Sequence, residues 1–374
     1  MYLKKNNILF IMQLPPPIHG ASVMNGYIKK SHNINNQFNC TFINLSTSKK
    51  INQIGRFSFM KIILFINIVI KTLYQLSIKK FDLVFVTISP SGIGFIKDSL
   101  IVVLLKIFRK KIIFNLHGKG IKKFYKDSSY LAKKYCHFIF NKSFTIHLSK
   151  NLIKDTNDFK NISENFIIPN AVEKLDLKDI EVNKNKEYFQ ILFLSNLIES
   201  KGVTTILEAA KILVDEGNTN FRVKFAGNFE SDEYQKFFND YVQKNSLKQY
   251  IKYLGPKYNN EKNQIFMESD IFVFPTYYAN ETFGLVNIEA MQFGLPIVTC
   301  DEGAISDIVN NNINGFIIKK KSPHELKNKI KLLMTDGSLR KKIEIKNKQD
   351  FNNKYTLDIY EKNLISCFNK VINS

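Results

Sequence analysis

The sequence predicts an α/β protein built on two parallel sheets, each covered by helices on both faces. Three observations carry that expectation. Apolar runs of strand length alternate with helical patterns along the whole chain. The same rhythm occurs on either side of a polar stretch near the middle. A chain of 374 residues is too long for one ordinary core and suits two domains of about 150 to 200 residues each.

In chain order, the first half offers strands at 8–12, 40–45, 83–88, 111–116, 144–148 and 166–168, with helical stretches such as 21–31, 57–76 and 93–108 between them. The second half repeats the pattern with strands at 190–194, 223–226, 251–254, 271–274, 297–299 and 316–318. Between the halves, "EKLDLKDIEVNKNKEY" at 173–188 lacks both strand and helix periodicity and reads as a linker. At the end, Leu357, Ile359, Tyr360, Leu364, Ile365, Phe368 and Ile372 fall near helical spacing, so a final helix docks an apolar face. The expected domains are 1–173, 174–355 and a C-terminal helix at 356–374 that packs back across the domain interface.

Composition narrows the function classes. Four scattered cysteines at 40, 136, 300 and 367 have neither disulfide nor zinc spacing, which favours a reducing compartment. The start has a basic lead and a short apolar run, then passes into Pro15, Pro16 and Pro17 without a small-residue cleavage pattern, so it reads as a first strand. The longest apolar runs, at 62–70 and 99–105, are bounded by charges and shorter than the roughly 18 to 20 residues of a membrane span, so a soluble or peripheral protein is expected. Net charge is +21, but residues 1–173 carry 26 lysines and arginines against 7 acids, whereas 174–374 carry 28 against 26. The densest basic stretch, 106–134, lies among apolar and aromatic residues, a mixture suited to an anionic membrane surface. A lysine-rich codon bias is the plain alternative, though the second half is as rich in Asn and Lys yet nearly neutral. No helix-turn-helix, RNA-recognition or zinc-finger pattern accompanies the charge, so nucleic acid is not an expected partner. "SGIGFIKD" at 91–98 has only part of a dinucleotide fingerprint and reads as a turn into a helix.

One segment concentrates the chemistry. In "DIFVFPTYYANETFGLVNIEAMQFGLPIV" a buried strand ends at Pro275, a polar loop carries Glu281, and a helix from about Leu285 carries Glu289. Eight residues of helix rise span at most about 12 Å, too far for two carboxylates to share a proton as a dyad. They suit a ligand with hydroxyls at both ends and an anionic centre, its phosphates facing the backbone amides of Phe283, Gly284 and Leu285 at the helix start.

With its neighbours, that segment resembles the retaining glycosyltransferases of glycosyltransferase family 4. The resemblance rests on the Glu, seven residues, Glu pattern and on "LFLSNLIESKGVTTILEAA", "FAGNF", "IKYLGP" and "NGFII" in the second half, with "PPPIHGAS", "NLHGKG" and "IIPNAVE" in the first. It implies the GT-B fold, two Rossmann-like doubly wound domains facing a central cleft. It implies that Glu281 contacts the donor sugar, Glu289 holds the ribose, and Lys201 neutralises the leaving diphosphate with the Phe283, Gly284 and Leu285 amides. On the same basis Gly20 lets the first loop approach phosphate, His117 lies by the reacting sugar, and His19 and Lys119 are candidates for the acceptor side. Where the family has an Arg, this chain has Asn196 at the diphosphate, with Lys257 as a substitute cation, and Ala304 replaces a second Gly.

The expected function is transfer of a sugar, with retention, from a UDP- or GDP-sugar to a polyprenyl-diphosphate-linked saccharide in capsule or O-antigen (lipopolysaccharide) assembly. The expected location is the cytoplasmic face of the plasma membrane, as a peripheral protein. No Asp-x-Asp pair occurs, so no metal and no cofactor are expected. A nucleotide-sugar epimerase on the same fold and a non-catalytic glycan- or nucleotide-binding module are the alternatives.

Overall fold

The computed structural model describes residues 5–48, 58–176 and 187–374, so most of the expected linker lies outside the described residues. The chain forms two compact units, one running to Ala171 and resuming at Leu357–Ser374, the other Val172–Thr356.

The first unit contains β1 (Asn7–Met12), α1 (Gly20–Lys30), α2 (His32–Gln37), β2 (Asn39–Asn44), α3 (Phe59–Ile78), β3 (Leu83–Thr87), α4 (Gly92–Ile107), β4 (Ile112–Leu116), α5 (Ile121–Asp127), α6 (Tyr130–Phe140), β5 (Phe144–His147) and β6 (Glu164–Ile167). Its six strands are parallel in the order β2-β1-β3-β4-β5-β6. Strands β3 and β4 are buried at every residue, which is why they read as unbroken apolar runs. Edge strand β6 alternates between half-buried and exposed residues.

The second unit contains β7 (Phe189–Leu194), α7 (Val203–Asp215), β8 (Phe221–Ala226), α8 (Asp232–Lys244), β9 (Ile251–Tyr253), α9 (Asn259–Met267), β10 (Ile271–Phe274), α10 (Leu285–Gln292), β11 (Ile297–Cys300), α11 (Ile305–Ile308), β12 (Gly315–Ile318), α12 (Pro323–Thr335) and α13 (Gly337–Lys354). Its parallel order is β12-β11-β10-β7-β8-β9. Every strand expected from the sequence is present in the two sheets, with ends shifted by two residues at most. Both orders reverse once, between β1 and β3 and between β7 and β10. In sheets of this Rossmann-like kind, ligands bind beyond the carboxyl ends of the strands at that reversal.

The chain then forms α14 (Leu357–Asn373), which belongs to the first unit. Phe368 is fully buried, its ring 5.8 Å from Phe10, 5.9 Å from Phe38 and 5.6 Å from Phe85, edge-on to each. Lys111 Nζ donates to the carbonyls of Val371 (3.1 Å) and Ile372 (3.0 Å), a cation at a helix C-terminus. This basic residue, expected on an open charged surface, is therefore committed to holding α14.

Helix α3 corrects the measure taken from apolar runs free of charge. Its 20 residues include only Lys61 and Lys71 as charges, so by length and composition it could cross a membrane. A crossover helix between the parallel strands β2 and β3 must instead lie along the sheet. Ile68, Thr72 and Leu76 are the side chains of α3 that are buried.

Candidate functional site

In the second unit the predicted residues gather where the loops after β7 and β10 meet. The chain leaves β7, passes Ser195 and Asn196, makes one tight turn at Glu199–Lys201 and enters α7. Gly202, at φ +91°, joins that turn to the helix, and a Cβ there would stand 2.4 Å from the Pro275 carbonyl oxygen. Only glycine lets the two loops approach so closely. Tyr277 N donates to the Ser200 carbonyl at 2.8 Å, which ties the loops together directly.

This contact places Lys201. Its ammonium donates to Ser195 Oγ at 2.8 Å, lies 3.8 Å from Glu281 Oε2, and sits 5.6 Å from the Tyr278 ring centre. Lysine and glutamate side chains are both mostly buried, at 16% and 14% exposure. Partial burial makes the pair stronger than a solvated one and fixes where the positive charge stands. The Glu281 loop is held in turn by Ala304, whose N–H donates to the Thr282 carbonyl at 2.7 Å. At neighbouring Gly303, φ +60°, a Cβ would lie 2.5 Å from the carbonyl oxygens of both Glu281 and Thr282. The substitution of Ala304 for a glycine is thus accommodated while the glycine beside it is required.

Gly284 caps α10 in the left-handed region, φ 69°, and Leu285 is the first helical residue. The first amides of any helix lack intrahelical acceptors, so this end presents donors and the positive end of the helix dipole. Phe283 is buried, its ring 6.5 Å from that of Tyr355. Glu289 lies within α10 and accepts from Lys262 Nζ of α9 at 2.8 Å. Lys262 was not among the residues singled out in the sequence, because nothing in its spacing relates it to Glu289. Asn196 is exposed in the loop after β7. The substitute cation Lys257 is engaged by Glu261 at 2.6 Å, so its charge is already partly neutralised.

In the first unit, Gly20 is the exposed first residue of α1, and its φ is not among the positive ones. His19 is the N-cap: its Nδ1 accepts from Ser22 N at 3.4 Å while Ser22 Oγ accepts from His19 N at 2.9 Å. That use of Nδ1 requires an unprotonated ring nitrogen, and burial lowers the His19 pKa in the same direction. His117 follows β4, with Nε2 2.8 Å from Asn115 Nδ2. An amide that donates there leaves the proton on Nδ1, a buried atom with no partner among the described residues. Burial, and then the proximity of His19, depresses the His117 pKa to about 4. Lys119 lies half-buried in the loop between β4 and α5.

Asp155 is a partner of this loop that the sequence did not disclose. Its carboxylate accepts from the backbone amides of Gly120 (2.9 Å), Ile121 (2.9 Å) and Lys122 (3.0 Å), clamping the loop that carries His117. It lies more than thirty positions away in the sequence, so no local pattern could reveal it. Among the described residues, no group of three His, Cys, Asp or Glu side chains gathers as a metal-ligand set.

The second-unit geometry agrees with a comparison with known proteins: residues 176–350 match the family "Glycosyl transferases group 1". This matched stretch, called the group 1 domain below for that match, contains Lys201, Glu281 and Glu289 together with the glycines that position them. The chain is 28% identical over 199 residues to a capsular polysaccharide biosynthesis glycosyltransferase of Staphylococcus aureus, covering 52% of this chain and 50% of that relative. It is 30% identical over 179 residues to an uncharacterized glycosyltransferase of Methanocaldococcus jannaschii, covering 48% and 47%. The chain thus spans about half the length of the curated relatives it matches. Likeness of fold extends further than likeness of sequence. Anabaena HepE, solved in complex with UDP, superposes with a TM-score of 0.73 at 17% identity over 97% of this chain and all of that one. A sucrose-phosphate synthase of Thermosynechococcus elongatus gives 0.71 at 14% over 99%. The group 1 domain and the unit before it therefore share the GT-B architecture.

Proposed function

We propose that this protein transfers a sugar from a nucleotide-sugar donor to a lipid-linked saccharide in the assembly of a surface polysaccharide. The observation that carries the reading is the cluster at the strand reversal of the group 1 domain, where Lys201, Glu281 and the N-terminus of α10 converge. A diphosphate gains negative charge as its bond to the sugar breaks, so a fixed ammonium and a helix end lower the barrier most in the transition state. Glu281 orients Lys201 and accepts from a sugar hydroxyl, and Glu289 takes the ribose hydroxyls, sharing its second oxygen with Lys262. In the first unit, the neutral His117 ring offers its unpartnered Nδ1–H to a ligand oxygen.

Transfer with retention, membership of family 4, and action without a metal belong to the same reading. A UDP-sugar is the first donor to try, since the structural relative from Anabaena was solved with UDP, and a GDP-sugar is the second. The acceptor is a polyprenyl-diphosphate-linked saccharide, presented at the cytoplasmic membrane surface in capsule or O-antigen assembly. The Staphylococcus relative, a capsular polysaccharide biosynthesis glycosyltransferase, supports the placing of the reaction in surface-polysaccharide assembly.

The test is a thermal-shift screen of the whole chain against UDP, GDP, ADP and their sugar conjugates, repeated with Glu289→Ala. A ligand present at about 100 times its Kd raises stability by about 2.7 kcal/mol. One nucleotide should shift the wild type and leave the variant unmoved. No shift with any nucleotide at millimolar concentration overturns the donor site.

A further inference from the structure

Helix α3 is apolar on two opposite sides. Ile68, Thr72 and Leu76 recur every four residues and face the protein interior. About half a turn away, Phe59, Ile63, Ile66, Ile70, Tyr74 and Ile78 form a second stripe, each between 47% and 72% exposed. A surface helix normally turns charged and polar residues to water on that side. The N-terminal half is more exposed still, with no buried residue before Ile68. Helix α4, which packs beside α3, continues the patch with Ile93, Ile96, Leu100 and Ile107, between 49% and 76% exposed. An exposed apolar surface two helices wide marks a docking face.

Charge selects its occupant. No Asp or Glu occurs between residues 58 and 81, whereas Lys61, Lys71, Lys79 and Lys80 lie in that span. In α4, Asp98 is buried, accepts from Ser89 N and Oγ, and is paired with Lys97, whose ammonium also lies 5.3 Å from the centre of the Phe65 ring. Exposed lysines at the flank and the end of an outward apolar stripe, Lys71 and Lys80, with acids absent or internal, fit the headgroup and acyl boundary of an anionic bilayer. We infer that α3 and the outer face of α4 insert in the plane of an anionic bilayer and seat the first unit on the membrane. This rests on the reading of a lipid-borne acceptor given above. The α3–α4 face carries the attachment; in the adjoining basic 106–134 stretch, Lys106 donates to the Asn141 carbonyl and Lys111 holds α14. In-plane insertion also reconciles the span-like composition of α3 with its packing, since crossing the bilayer would pull Ile68, Thr72 and Leu76 from their burial.

The chain has no tryptophan, so Ile66→Trp creates a single reporter on the exposed stripe. Added vesicles of phosphatidylcholine and phosphatidylglycerol should blue-shift its emission, and brominated acyl chains should quench it. In co-sedimentation, the triple variant Ile63→Ser, Ile66→Ser, Ile70→Ser should bind at least about tenfold less than wild type, even at about 0.1 M salt where lysine attraction is screened. These positions are solvated, so the variant should keep its melting transition. Unchanged tryptophan emission, or a triple variant that sediments like wild type, overturns the inference. So does a wild-type dimer in sedimentation velocity that the triple variant abolishes, which would assign the face to a second copy of the chain. The nucleotide screen reads the other unit: a nucleotide shift without vesicle binding removes only the docking face, and vesicle binding without a shift removes only the donor site.

Discussion

At the residue scale, His117 illustrates how environment sets a side chain's chemistry. Its ring is kept neutral by burial and by His19, with a pKa near 4 against an ordinary value of 6.5. Between those two values an unfolded chain holds a proton that the folded one refuses, so acid favours unfolding and stability rises with pH across that window. We therefore expect the His117 ring signals, followed by NMR, to titrate near pH 4, and activity to lack an inflection at 6.5 from this group. Titration of the His117 signals near 6.5 would contradict the burial described. The glutamates and Lys201 were legible in the sequence because their loops carry local signals: a proline closing a strand, a glycine opening a helix, and apolar runs on either side. Lys262, Ser195 and Asn115 were not, because each reaches its partner through the fold or through side-chain direction, and spacing encodes neither.

At the scale of the element, the loop between β4 and α5 depends on a carboxylate from a distant turn. Three amides at the start of α5 converge on Asp155, which serves the helix as a cap supplied from outside. Asp155→Ala should cost about 1 to 2 kcal/mol of stability, by analogy with lost caps. Hydrogen exchange should quicken first at residues 120–122, ahead of any change in the second unit. Equal protection in wild type and variant would mean that the loop holds its shape unaided. Strands were easy to read for the opposite reason. A parallel strand buried on both faces must be apolar throughout, and its bounding turns are written in Gly, Pro, Asn and Asp. Helix α3 was harder, because two lysines interrupt the apolar run in the sequence but leave the helical stripe unbroken.

At the scale of the whole molecule, the path of the chain matters more than any one contact. The first unit is completed by α14, whose Phe368 packs against rings from β1, β3 and the end of α2. Phe368→Ala should destabilise this unit by about 3 to 5 kcal/mol while the nucleotide-induced shift of the other survives. Loss of both together in calorimetry would mean that the two units melt as one. The same connectivity bears on synthesis. The group 1 domain is one continuous stretch and can fold as soon as it has emerged from the ribosome. The unit made before it must wait, its aromatic core open, until α14 has been translated. For that interval the nascent chain exposes both an unfinished core and the oily outer stripe of α3, so an early-binding chaperone or a nearby bilayer would meet this half of the protein first.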